Sequence, residues 1–279
     1  MEPTSDKLRR KPEAVIKSFE MDPTKKAVYV EGPTDRLFFE YLFEDEIKSE
    51  TLFYEIDTVD IPAITEGGKR QRLIEFAKII DKSAASIKIF IDADFSRIIS
   101  EVIPKPVILT DFRDLEAYLY EKKYLTKFIK LGLKTNKITP DLMLDEIHRA
   151  RDIAILRLGS YQKKLDLPFQ ETNENFSRYY TYGVGLDFVK YVNALIQNCK
   201  QKHKFKDVKD VFTETQEKQT TVDNRDLIHG KDVIEIVKMI AAHLKLKKEN
   251  VDLIFWMSFD KADIKKFKNL KEVGEFVGM

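Results

Sequence analysis

The order of apolar and polar positions predicts strands alternating with helices over the first 125 residues. Ala27-Val28-Tyr29-Val30 is a short β-branched and aromatic run and reads as a buried strand. Glu31-Gly32-Pro33-Thr34-Asp35 follows, where a glycine permits a tight turn and a proline suits a first helical turn. Leu37, Phe38, Tyr41 and Leu42 then recur at helical spacing. Leu52 to Val59 is a second strand candidate, Ile87 to Ile91 a third and, after Pro104 and Pro106, Val107 to Leu109 a fourth. Between the second and third, Leu73, Ile74, Phe76, Ala77, Ile79 and Ile80 form the apolar face of a helix, and Leu115, Tyr118 and Leu119 begin another after the fourth. This alternation predicts the α/β class, with a partly parallel sheet flanked by helices.

Downstream the pattern becomes mostly helical. Residues 141–158, 184–199 and 232–247 carry apolar residues at helical spacing, whereas 214–226 are polar and read as a mobile loop. Residues 1–23 are polar and punctuated by Pro3, Pro12 and Pro23, and read as a tail or loosely docked arm. The expected organisation is a tail over 1–23, an α/β domain over 24–125 and a helical region over 126–279.

Composition narrows the classes. Of 279 residues, 43% are hydrophobic, enough for a real core, and 48 basic against 47 acidic residues give a net charge of +1. That balance excludes a wholly basic nucleic-acid coat and leaves only local patches. No apolar run approaches the roughly 18 residues of a spanning helix, and the polar N-terminus has no signal core, so the expectation is a cytoplasmic protein without a membrane partner. The single cysteine, Cys199, excludes a disulfide framework and a cysteine-rich metal site.

The candidate chemistry lies in where acids follow strands. Glu31 ends the first strand, and Asp92 and Asp94 end the third. Residues two apart on a strand share a face, and sites of open α/β sheets gather at the carboxyl ends of strands. If the two strands are neighbours, the three carboxylates converge and repel, a conflict that a hard divalent cation such as Mg²⁺ or Mn²⁺ removes. Asp35, one turn into the following helix, would join the shell or serve only as a helix N-terminal acid. Of Asp111, Asp114 and Glu116 after the fourth strand, Glu116 is the choice for a second metal or, on the plainer reading, a surface ion pair. Two such ions would clamp the attacking and leaving oxygens of a phosphodiester.

These residues carry a family resemblance. The segments VYVEGPTDRLFFEYLF and IFIDADFS resemble a Toprim domain, the metal-binding module of topoisomerases, primases and several nucleases, with Glu31 and Asp92/Asp94 at its motif positions. The EGPTD and RDLEAYLY segments resemble its nuclease branch, including the overcoming-lysogenization-defect nucleases. With NRDLIHGKDVIEIV, the layout is similar to the Toprim effector nucleases of the PARIS anti-phage defence systems. The specific motifs cover the first 125 residues. The resemblance implies a metal-dependent endonuclease that is held inactive by an ATPase partner, released when phage is sensed, active as a homodimer and directed at RNA, namely host tRNA. It departs from the topoisomerase and primase branches, since neither a DNA-gate tyrosine context nor a zinc motif accompanies the core.

Further candidates have two readings each. Gly67-Gly68-Lys69-Arg70 is either a phosphate cradle at a helix start or a flexible turn with a basic first turn. Lys231 would offset phosphoryl charge and His229 act as acid or base, or the pair is a turn before a helix. Six lysines in 121–137, interleaved with Tyr118, Tyr120, Tyr124 and Phe128, and five in 200–209 would bind a nucleic-acid backbone or merely solvate a surface. Tyr179, Tyr180, Tyr182 and Tyr191 read as core packing or a dimer surface. Two rival functions stand beside the nuclease: a phosphatase or phosphotransferase with Asp92 as nucleophile and Asp94 as acid/base, and a regulatory subunit whose acids bind metal only structurally.

Overall fold

The computed structural model describes residues 9–45, 51–61, 68–80, 85–169, 176–246 and 251–279, except the side chains of Asp252 and Leu253. The chain divides into two compact units: residues 1–111 with 261–279, and residues 112–260. The division falls at 111 rather than 125, and the last helix of the sequence belongs to the first unit.

The first unit is built on a four-stranded, wholly parallel sheet: β1 (Lys26–Val30), β2 (Thr51–Glu55), β3 (Ile87–Ile91) and β4 (Val107–Leu109), in the order β2-β1-β3-β4. Ala27 pairs with Ile87 and Tyr29 with Ile89, so β1 and β3 are neighbours in register. A parallel strand covered on both faces reads as a continuous apolar run, as residues 27–30 do inside the sheet, whereas the edge strand β2 leaves Leu52 exposed and β3 carries Lys88.

Side-chain alternation splits the core. Ala27, Tyr29, Ile87, Ile89 and Ile91 face α3 (Lys69–Ile80), through Leu73, Phe76, Ala77 and Ile80. On the opposite face, Phe39 of α2 (Pro33–Leu42) meets Phe90 at 4.8 Å and Phe53 at 5.4 Å between ring centroids. The helix Lys268–Val277 approaches closely: a β-carbon at Gly274 would lie 3.2 Å from Phe43 Cε1. Asp111 anchors its start by accepting N–H bonds from Asn269 and Leu270.

The tail expectation is corrected where the structure describes it. Residues 12–21 form a helix, α1 (Pro12–Met21), with Pro12 in its first turn. Val15 and Phe19, four apart on one face, are buried in the same cluster as α3. Arg10 extends the anchorage by bridging to Val59 in parallel.

The second unit is mostly helical, with a two-stranded antiparallel hairpin (Tyr180–Thr181 and Gly185–Leu186). Residues 141–158 are divided between the helices Pro140–His148 and Arg151–Lys163. The expected loop at 214–226 is largely helix: Phe205–Lys218 continues through its first five residues, and Asn224–Leu227 adds a short turn. Packing explains the difference. A β-carbon at Gly159 would lie 2.8 Å from both Thr215 Oγ1 and Val211 Cγ1, so the glycine lets the polar helix lie close against Arg151–Lys163. The tyrosine cluster serves packing, with Tyr191 fully buried and the Tyr180 hydroxyl donating to Glu146. Cys199 is half-buried, its thiol set against the Leu165 and Asp166 carbonyls.

Candidate metal centre

All four strands of the first unit present their carboxyl ends at one edge of the sheet. The chain leaves β1 toward β2, then crosses to β3 on the other side of β1. The connections therefore diverge between β1 and β3, the place where open α/β sheets form their ligand crevice. Glu31 follows β1 and Asp92 follows β3, so both stand at this switch point.

Glu31 is a strongly perturbed acid there. Its Oε1 is buried without a hydrogen-bond partner among the described residues. Burial, then the charges of Asp94 and Asp35, push its carboxyl up to about 7, while Arg70 and the Asp92 backbone N–H work in the opposite direction. A buried carboxylate beside two others favours its neutral form unless a cation is near.

Each neighbour is held by a different local device. Asp35 sits at the third position of α2 and accepts the Gly32 N–H at 2.9 Å. It thus caps its own helix while burial raises its pKa. Asp94 adopts a left-handed backbone, φ 47°, in the turn after β3. Two hydrogen bonds brace that turn: the Ala93 N–H donates to Thr110 Oγ1 at 2.8 Å, and the Ser96 N–H to the Ala93 carbonyl at 2.8 Å. The expected shared face of Asp92 and Asp94 does not apply, because strand alternation ends at Ile91 and the turn redirects Asp94.

Arg70 is the participant whose role the sequence does not reveal. It projects from the first turn of α3, with Nε 3.5 Å from Asp94 Oδ2 and a terminal nitrogen 2.7 Å from Glu101 Oε2. Lys69 pairs with Asp57 at 2.7 Å. Both basic residues of the expected phosphate cradle are thus engaged by acids, and Thr65, Glu66 and Gly67 lie outside the described residues.

The donor chemistry, an orphaned carboxylate oxygen with two further carboxylates in electrostatic range, fits a hard divalent cation. Among the described residues, no three His, Cys, Asp or Glu side chains already surround a common point in metal-binding geometry. What is assembled is a strained acidic pair with a capped third member, compensated in part by a guanidinium.

Glu116 and Lys231 belong to the second unit. Glu116 lies in the turn Leu115–Leu119, its carboxylate against Gly230, the first residue of the helix Gly230–His243. The Gly230 N–H donates to Asp114 Oδ2 at 2.7 Å. Two acids at a helix N-terminus oppose the positive end of its dipole. Lys231 is exposed at the next position. His229 Nδ1 accepts the Lys231 N–H at 3.2 Å, and burial with Arg113, Arg157 and Lys231 nearby holds its imidazole well below the usual histidine range. That favours a neutral capping role. Behind them, fully buried Asp232 forms a two-pronged pair with Arg157 at 2.6 and 3.1 Å. Tyr118, Tyr120, Tyr124 and Phe128 are buried, which removes them as stacking platforms for unpaired bases.

No family model matches the chain, and no curated protein matches it. No helix among the described residues is long and apolar enough to cross a membrane.

Proposed function

We propose that the chain is a divalent-metal-dependent endonuclease that hydrolyses RNA phosphodiesters. The observation that carries this reading is the Glu31 carboxylate, buried at the β1/β3 switch point with an unsatisfied oxygen and two acidic neighbours. An acidic site that Arg70 compensates only in part calls for a further cation, and its position matches the ligand crevice of open parallel sheets. Glu31 and Asp94, with Asp92 and Asp35 alongside, would hold Mg²⁺ or Mn²⁺, and the ion would supply Lewis-acid polarisation of a phosphoryl oxygen. Glu116 and Lys231 remain the candidates for a second metal and for phosphoryl charge.

The finer reading rests on the Toprim-like motifs: an effector nuclease of anti-phage defence, cutting tRNA, restrained by an ATPase sensor and active as a homodimer. Sequencing of RNA ends after expression of wild type, Glu31→Ala and Asp92→Ala tests it. Discrete metal-dependent ends are expected for the wild type and are lost in both variants, with each fold intact by circular dichroism. Full cleavage by Glu31→Ala would remove Glu31 from the mechanism.

The contact between Arg70 and Asp94 favours a second reading, in which the acids are structural and the chain is a non-catalytic subunit. That reading expects no RNA cleavage at any Mn²⁺ or Mg²⁺ concentration, with or without a partner.

A further inference from the structure

We infer that Arg70 is the resident counter-cation of the acidic pocket, that a divalent ion must compete with it for Asp94 and Glu31, and that Glu101 sets how strongly it competes. This rests on the metal reading above and concerns its regulation. Arg70 presents its two ends to different partners. One terminal nitrogen donates to Ser96 Oγ at 2.6 Å and to Glu101 Oε2 at 2.7 Å, and the other reaches Glu101 Oε1 at 3.4 Å. The Ser96 hydroxyl donates to the same Glu101 oxygen at 2.7 Å, closing the clamp. The opposite edge, Nε, is buried, makes no hydrogen bond and stands 3.5 Å from Asp94 Oδ2. The acids thus receive the charge of Arg70 through a contact without a directional bond, the kind that an incoming cation displaces most readily.

Anchor and target belong to one turn. Asp94 opens it in the left-handed region, and it closes with the Glu101 N–H donating to the Ser96 carbonyl at 2.8 Å. The clamp therefore fixes the guanidinium relative to Asp94. A guanidinium keeps its charge at every working pH, so this competition cannot be titrated away. Glu101 neutralises part of it, and losing Glu101 would leave the full positive charge facing the pocket.

The two substitutions are therefore expected to act with opposite sign. The test is calorimetric titration of Mn²⁺ into the full chain without RNA, for wild type, Arg70→Gln and Glu101→Gln, with thermal denaturation of each in Mn²⁺ and in chelator. Arg70→Gln should bind Mn²⁺ about tenfold more tightly and gain more thermal stability from it than the wild type does. Glu101→Gln should bind several-fold more weakly. A purely structural Arg70 predicts weaker binding in both. If the wild type binds Mn²⁺ but Arg70→Gln binds equally or less tightly, the inference falls and the metal reading stands. Binding by neither protein removes both. Binding by Arg70→Gln alone supports the inference in its strongest form. If Arg70→Gln fails to fold, Glu101→Gln decides, and unchanged or tighter binding by it overturns the inference.

Discussion

The backbone N–H of Asp92 donates to the Glu31 carboxylate, tying the ends of two neighbouring parallel strands together. This bond partly offsets the burial and repulsion that raise the Glu31 pKa, but the balance remains unfavourable to its charge.

Stability is therefore expected to fall as pH rises. A carboxyl that titrates at about 7 in the folded chain and at 4.5 in the unfolded one keeps its proton across that window only when folded. The penalty begins above the unfolded value and is complete once pH passes the folded one. Glu31→Gln, which cannot ionise, should exceed the wild type by about 3 kcal/mol near pH 8 and match it below about pH 4. Urea denaturation at a series of pH values reads this directly, and a gap that does not change with pH would contradict it.

The buried Arg157–Asp232 pair should respond asymmetrically. Asp232→Ala leaves a guanidinium buried without its carboxylate and is expected to cost about 3–5 kcal/mol. Replacing both residues with apolar side chains of similar volume should recover most of the loss. Denaturant midpoints of the single and double variants check this, and a single-variant loss below about 1 kcal/mol would be inconsistent with a desolvated pair.

Gly230 is required by proximity. A β-carbon there would meet Glu116 Oε2 at 2.3 Å and its Cβ at 2.6 Å, so Gly230→Ala should cost about 1–3 kcal/mol. Removing the whole obstructing side chain, its β-carbon included, should relieve it, so Gly230→Ala combined with Glu116→Gly should be more stable than the two single losses summed. Simple additivity in the double-mutant cycle would show that the clash is absorbed elsewhere.

The lysines of 200–209 are the best candidates for RNA backbone contact under the proposed function. Lys200, Lys202, Lys204, Lys206 and Lys209 are all exposed, and none carries an ion pair among the described residues. By contrast Lys122 and Lys123 of the other stretch pair with Asp141 and Asp260. Gln201 and His203 fix the connector to Asp166 and Leu165, at 2.6 and 2.8 Å, between these lysines. Combined Lys200→Gln, Lys202→Gln and Lys204→Gln should weaken single-stranded RNA binding and lower its salt slope by about 2. Fluorescence anisotropy in chelator at several salt concentrations measures both, and an unchanged slope would exclude these lysines from the contact.

Much of the sheet was legible because its strands are short segments rich in β-branched and aromatic residues, and all four predicted strands are present. The acids at their ends were legible for the same reason, since strand ends locate them. The α1 helix was not: its polar composition hides an apolar pair, Val15 and Phe19, and Pro12 reads as punctuation until it is seen as a first-turn residue. The helical character of 214–218 was hidden because its partner is a glycine in a distant helix. The turn at Asp94 carries no glycine to announce a left-handed backbone, and the role of Arg70 depends on where α3 packs, which no local pattern records.

The discontinuity of the first unit has a consequence for synthesis. The polypeptide departs after Asp111 and returns only at Lys261. The amides that Asp111 accepts, and the Phe276 carbonyl to which Lys26 donates at 2.6 Å, all belong to that returning segment. A ribosome must therefore build the entire second unit before it can deliver the pieces that close the first. The contacts that Asp111 and Lys26 make in the finished fold therefore form only after Lys268–Val277 has left the exit tunnel.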